Sequence, residues 1–149
     1  MIKPLLILSV IFIASCSPKE VHLDQLVERQ DVFFEINSET PFTGTIVNYH
    51  ENGQLKSRSS VENGKDNGRV DHYYENGQLR KRQNHINGKL TGIQEQYYPD
   101  GQLEFKGTWK DNVEHGPYWI YFYNGQLSLK GNMKEGKYEG LRETYTREG

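Results

Sequence analysis

The sequence predicts an all-β protein, an elongated antiparallel β-meander in which 24-residue hairpin repeats stack into a solenoid-like twisted sheet. Three observations predict it. Gly53, Gly77, Gly101, Gly125 and Gly149 lie 24 residues apart, each preceded by Asn, Asp or Glu, and Leu55, Leu79, Leu103 and Leu127 follow four of them by two. Tyr49, Tyr73, Tyr97, Tyr121 and Tyr145 keep the same period, as do Gly44, Gly68, Gly92, Gly116 and Gly140. Finally, no segment between the turn signals holds three helical turns. A fixed internal period of this size means stacked supersecondary units.

In chain order, residues 1–15 come first. MIKP carries one lysine, an apolar run extends from Leu5 to Ile13, and Ala14-Ser15-Cys16 follows. This is the layout of a secretory signal and is too short to span a membrane as a helix. The ending "IASC" resembles the lipobox of bacterial lipoproteins, which implies a lipid on Cys16 and a place in the bacterial cell envelope, outside the cytoplasm and anchored to a membrane. Cys16 is the only cysteine, so no intramolecular disulfide forms. Residues 16–25 read as a tether. Residues 26–47, with Val32-Phe33-Phe34 and a Thr40-Pro41 turn, read as an imperfect first repeat that caps the array, and residues 48–149 are the repeats.

Each repeat contains two turn signals. Asn-Gly between apolar-aromatic segments points to a two-residue type I′ hairpin, in which both central residues take positive φ. That reading makes Gly53, Gly77, Gly101 and Gly125 turn glycines. Half a period later come Asn63-Gly64, Asn87-Gly88, Asp111-Asn112 and Glu135-Gly136. Two strands of roughly 5–8 residues fit between the turns.

A two-residue loop at Asn124-Gly125 sets Phe122 opposite Leu127 and Tyr121 opposite Ser128. The leucines then line an inner face, while Tyr49, Tyr73, Tyr97, Trp119, Tyr121 and Tyr145 line an outer one, with Tyr73 beside Arg80. Ladder tyrosines two strands apart stand about 10 Å from one another, beyond the roughly 4.5–7 Å of ring contact. Polar side chains fill the gaps, which makes a corrugated candidate surface for an extended protein partner. Two alternatives stay open: a bulge would reverse the assignment, and a curled sheet would bury the rings as a second small core. "YWIYFY", Tyr118 to Tyr123, is expected to be the best-buried strand. The last strand, about Leu141 to Tyr145, is an edge through which self-association is expected.

Composition narrows the function. With 18 basic and 20 acidic residues there is no net field to draw in nucleic acid. The five histidines share no metal-ligand spacing, the serines have no nucleophile-elbow context, and no glycine sits in a phosphate loop. Glu95 and Glu104, near one hairpin, read as a solvated strand face. No catalytic residue, metal or cofactor is expected, and the chain reads as non-enzymatic.

The repeats also resemble a known family. Phe105-Lys-Gly107-Thr-Trp109-Lys-Asp-Asn112-Val-Glu-His115-Gly116 is similar to the core of a MORN repeat, and Leu129 to Gly140 is a looser copy. Asn112 and Tyr118 stand where the pattern has glycine. The repeated YYxNGQL element and the leader "FFEINSETPFTGTI" resemble the variant repeats of YwqK-type antitoxins. The resemblance, over about residues 26–149, implies a protein-binding module whose partner is a toxin. The alternative is a structural envelope protein that binds glycan or assembles with itself.

Overall fold

The structure, a computed structural model, describes residues 18–148, so the signal segment and Cys16 lie outside the described residues. Three short strands come first, β1 (Glu20–His22), β2 (Leu26–Arg29) and β3 (Val32–Glu35), with one 3-10 turn at Leu23–Gln25. Ten more follow: β4 (Gly44–Tyr49), β5 (Leu55–Glu62), β6 (Lys65–Tyr73), β7 (Leu79–Ile86), β8 (Lys89–Leu90), β9 (Gly92–Tyr97), β10 (Leu103–Lys110), β11 (Val113–Tyr121), β12 (Leu127–Lys134) and β13 (Lys137–Thr144). β4 to β13 form an antiparallel meander, with β8 and β9 both pairing β7. β1 adds itself to β4, which completes an 11-stranded sheet. The all-β expectation holds.

The cap is built differently from a tether followed by a plain repeat. β1 pairs parallel with β4, Val21 opposite Ile46, and β2 and β3 make a separate two-stranded sheet. The physical reason is apolar burial at an otherwise open edge. Val21, Phe42, Ile46 and Val61 form a buried hydrophobic cluster, with Leu26 and Phe33 packed on it, and β1 takes up backbone groups along β4. Gly44 permits the approach, since a Cβ there would stand 2.2 Å from the Lys19 carbonyl oxygen.

Beyond the cap the sheet has no second layer, and no large side chain among the described residues is fully buried. The expectation for "YWIYFY" therefore fails. Tyr118 is buried, but Ile120 and Tyr123 are exposed, because alternate residues of a single-layer strand face water on both sides.

The two turn types are exchanged relative to the sequence reading. Asn63-Gly64, Asn87-Gly88, Asp111-Asn112 and Glu135-Gly136 have positive φ at both residues and are the two-residue type I′ loops. At the four periodic glycines only the glycine is left-handed. There Gly77 N–H donates to the Tyr74 carbonyl at 2.9 Å and Tyr74 N–H to the Gln78 carbonyl at 2.8 Å, closing a three-residue loop. The asparagine acts through its side chain: Asn52, Asn76, Asp100 and Asn124 each accept the N–H of the glutamine two residues on, at 3.0–3.1 Å. This local bond competes with the tighter turn and wins.

The longer loop shifts the register. Tyr121 pairs with Leu127 and Ile120 with Leu129, so Ser128 is bulged out, and the same step recurs at Tyr49 with Leu55, Tyr73 with Leu79 and Tyr97 with Leu103. Residues directly opposite share a face. The leucine and tyrosine ladders thus lie together instead of back to back.

Candidate binding faces of the sheet

The repeats are stitched to one another at both ends. On the three-residue-loop side, Asn52 and Asn76 donate their amides to the carbonyls of Glu75 and Pro99 at 2.9 and 2.8 Å. The Tyr74 and Tyr98 hydroxyls donate to the carbonyls of Tyr97 and Tyr121 at 2.7 and 2.9 Å. On the type I′ side, the N–H groups of Gly64, Gly88, Asn112 and Gly136 donate to the carbonyls of Phe42, Asp66, Leu90 and Glu114 at 2.7–3.0 Å. Asn112 suits the position without being glycine because asparagine tolerates φ of 70° and its Oδ1 accepts the Leu90 N–H at 2.7 Å.

Across the tyrosine face runs one row of register partners, one from each strand: Val47, Arg58, Asp71, Arg82, Glu95, Lys106, Trp119, Lys130 and Glu143. Charges alternate from Arg58 to Lys106 and, beyond Trp119, again at Lys130 and Glu143. Arg82 Nε lies 2.9 Å from Asp71 Oδ1, Lys106 Nζ 3.1 Å from Glu95 Oε1 and Lys130 Nζ 3.1 Å from Glu143 Oε1, while Arg58 pairs with Glu20 at 2.7 Å. The ladder tyrosines tie into the same groups. Tyr73, Tyr97 and Tyr145 donate to Asp71, Glu95 and Glu143 at 3.3, 3.0 and 2.7 Å.

These contacts set the ionisation of the row. Burial by itself would raise the Asp71 carboxyl, yet hydrogen bonds from Arg69 and Arg82, with their charges, hold it below the ordinary carboxylate range. Glu95 behaves alike: burial opposes the anion, and Lys106 and Tyr97 outweigh it. Glu104 is not its partner. It accepts a bond from Gln96 at 2.9 Å, on the other face, because it sits at a bulge.

The six sequence-predicted ladder residues therefore sit on one face, as a set. Tyr49 and Tyr145 are exposed; Tyr73, Tyr97, Trp119 and Tyr121 are half-buried. Sequence reasoning missed the charge row, although its signal was available: Arg58, Arg82, Lys106 and Lys130 are 24 apart, as are Asp71 and Glu95.

The opposite face has a row of its own, Asn48, Ser57, His72, Lys81, Gln96, Phe105, Ile120 and Leu129. Its first half is polar and its second apolar. A cavity of about 560 Å³ opens in the polar half.

Residues 42–63, 66–87 and 90–111 match the MORN repeat variant. Three consecutive MORN-variant repeats thus run from the cap to the turn after β10, and each matched stretch starts beside or at a carbonyl that the type I′ stitch uses. The Glu114–Gly136 bond continues that pattern one repeat further. No curated protein matches the chain at significant similarity. Among the described residues no helix is long and apolar enough to cross a membrane, and no group of three His, Cys, Asp or Glu side chains is placed to hold a metal ion.

Proposed function

We propose that the chain is a non-enzymatic protein-binding repeat module, held at a membrane of the bacterial cell envelope by a lipid on Cys16. The observation that carries this is the uninterrupted single-layer sheet. Beyond the cap, which covers part of the first repeat, both faces of the MORN-variant repeats are open to a partner, and their side chains recur in rows about 10 Å apart. Much of that order precedes binding, since stitched turns and paired side chains have already lost their conformational freedom, which lowers the entropic cost of docking. The lipobox-like "IASC" supports the anchor, and the resemblance to YwqK-type antitoxins supports a toxin as partner. In the envelope such a protein acts as an immunity lipoprotein, meeting the toxin outside the cytoplasm.

A second reading, a structural envelope protein that assembles with itself, is favoured by one observation. Every residue of β13 is exposed, Leu141 by 92% and Tyr138 by 68%, on the outer edge of the sheet. Affinity capture of the lipidated protein from native membranes separates the two. Recovery of a distinct protein at a fixed ratio supports the binding module; recovery of the chain alone as a homo-oligomer, or of saccharide without protein, overturns it.

A further inference from the structure

The two faces of the sheet differ in what they leave unsatisfied. On the tyrosine face, Arg58, Arg82, Lys106 and Lys130 each have a carboxylate partner. On the opposite face, Lys56, Arg80 and Lys81 make no ion pair and no side-chain hydrogen bond among the described residues. Lys56 and Arg80 reach that face because each is the extra residue of a bulge, between Leu55 and Ser57 and between Leu79 and Lys81. They line the cavity of about 560 Å³ with His50, His72 and Tyr74, and exposed Glu75 is the carboxylate at its rim. A second cavity of about 340 Å³, lined by Tyr74, Arg80, Lys81 and Gln96, continues it. The groups there feel one another. Burial and the charges of Lys81 and Arg80 push the His72 imidazole below its ordinary range, and burial and Arg80 push Lys81 down.

The basic stretch ends where the third bulge residue is Glu104, engaged by Gln96. From there the same face turns apolar. Phe105, Ile120 and Leu129 are consecutive register partners on β10, β11 and β12, and Ile120 is exposed.

We propose that this face, opposite the tyrosine ladder, is the docking surface, and that its occupant is an extended protein segment with carboxylates toward one end and apolar side chains toward the other. The carboxylates meet Lys56, Arg80 and Lys81; the apolar side chains cover Phe105, Ile120 and Leu129. Charge complementarity names the first half of the occupant, since three cations without an ion-pair partner, Lys56 and Arg80 exposed and Lys81 half-buried, are stabilised by an anionic segment. Six strand spacings separate β5 from β12, about 29 Å at ~4.8 Å each, which an extended segment of about nine residues spans. The inference deepens the protein-binding reading and rests on it, but the two fail separately: membrane capture tests whether a partner exists, and a defined peptide tests this face.

The probe is a synthetic ten-residue peptide with four glutamates followed by alternating valine and serine, labelled with fluorescein and titrated by anisotropy into the soluble chain lacking residues 1–16. Saturable binding is expected, weakened at least tenfold by Arg80→Glu with Lys81→Glu, weakened by Ile120→Lys, reduced by added salt and unchanged by Tyr121→Ser. Lys81 and Ile120 are changed on a solvent-open face, and far-UV circular dichroism confirms the fold of each variant. A lysine-for-glutamate peptide should not bind. The proposal is overturned if the acidic peptide does not bind, if charge reversal leaves its binding intact, if Tyr121→Ser abolishes it, or if phosphatidylserine vesicles bind the same cations while the peptide does not.

Discussion

Arg82 on β7 closes on Asp71 of β6, Nε to Oδ1 at 2.9 Å and a second guanidinium nitrogen to Oδ2 at 3.3 Å, in a sheet with no second layer to cover the pair. Asp71 is nonetheless only 3% exposed. Arg69, from the same strand, and the Tyr73 ring close over it, so neighbouring side chains of the face do what a packed layer would otherwise do.

Removing that carboxylate should therefore destabilise the array. Asp71→Ala is expected to cost about 2–3 kcal/mol, the range for charge-assisted bonds to a buried group, read from urea melts. The sign with pH follows from the depressed carboxyl: its stabilisation is fully present above the unfolded value of about 3.9 and is lost as pH falls through the lower folded value. Wild type should lose stability on acidification below pH 4, and Asp71→Ala should lose less. An equal acid loss in both would contradict this account.

The turn side chains make a second prediction. Asn76→Asp keeps the acceptor for Gln78 N–H and removes only the amide that reaches the Pro99 carbonyl, so it should cost about 0.5–1.5 kcal/mol. Asp100 already lacks that amide. Its second carboxylate oxygen instead accepts the Gln102 side-chain amide at 3.2 Å, and a thermal melt left unchanged or raised by Asn76→Asp would refute the stitch.

Tyr118 supplies a third test. Its hydroxyl is buried without a hydrogen-bond partner among the described residues, and a Cβ on Gly131 would lie 2.8 Å from it and from its ring. Tyr118→Phe should leave stability unchanged or raise it, whereas Gly131→Ala should overpack the site by about 1–3 kcal/mol. Denaturant midpoints decide between them.

The anchor is tested by chemistry alone. Cys16→Ala should abolish incorporation of labelled palmitate and move the protein from the membrane to the soluble fraction. Retained label would exclude Cys16 as the lipid site.

The period and the two strands and two turns of each repeat were legible because they depend on glycine and on spacing, which a chain displays directly. The face assignment was not. It hinged on whether Asn76 bends its own backbone or bonds the backbone of Gln78, a choice between two uses of one side chain that Asn-Gly does not reveal. The third loop residue then put Leu55, Leu79, Leu103 and Leu127 on the tyrosine face. β1 escaped notice for another reason: three residues, Glu20 to His22, carry too little periodicity to read as a strand, and only the open edge of β4 gives them a place. The paired row of Arg58, Asp71, Arg82 and Glu95 was open to inspection, but only to an alignment of the repeats on one another rather than to a search for turns.

The stitches between repeats span 22 or 23 positions, at the type I′ turns and at the asparagine loops respectively. They are thus indifferent to where along the array a repeat stands. Duplicating a 24-residue unit adds two strands, about 10 Å of sheet, and regenerates the type I′ stitch at both new junctions, with the amide stitch wherever its loop carries asparagine. A single inserted residue does the opposite, because it turns one strand's side chains over and breaks the alternation of charge on both sides. The length of this protein is therefore free to change in evolution, but only in whole steps.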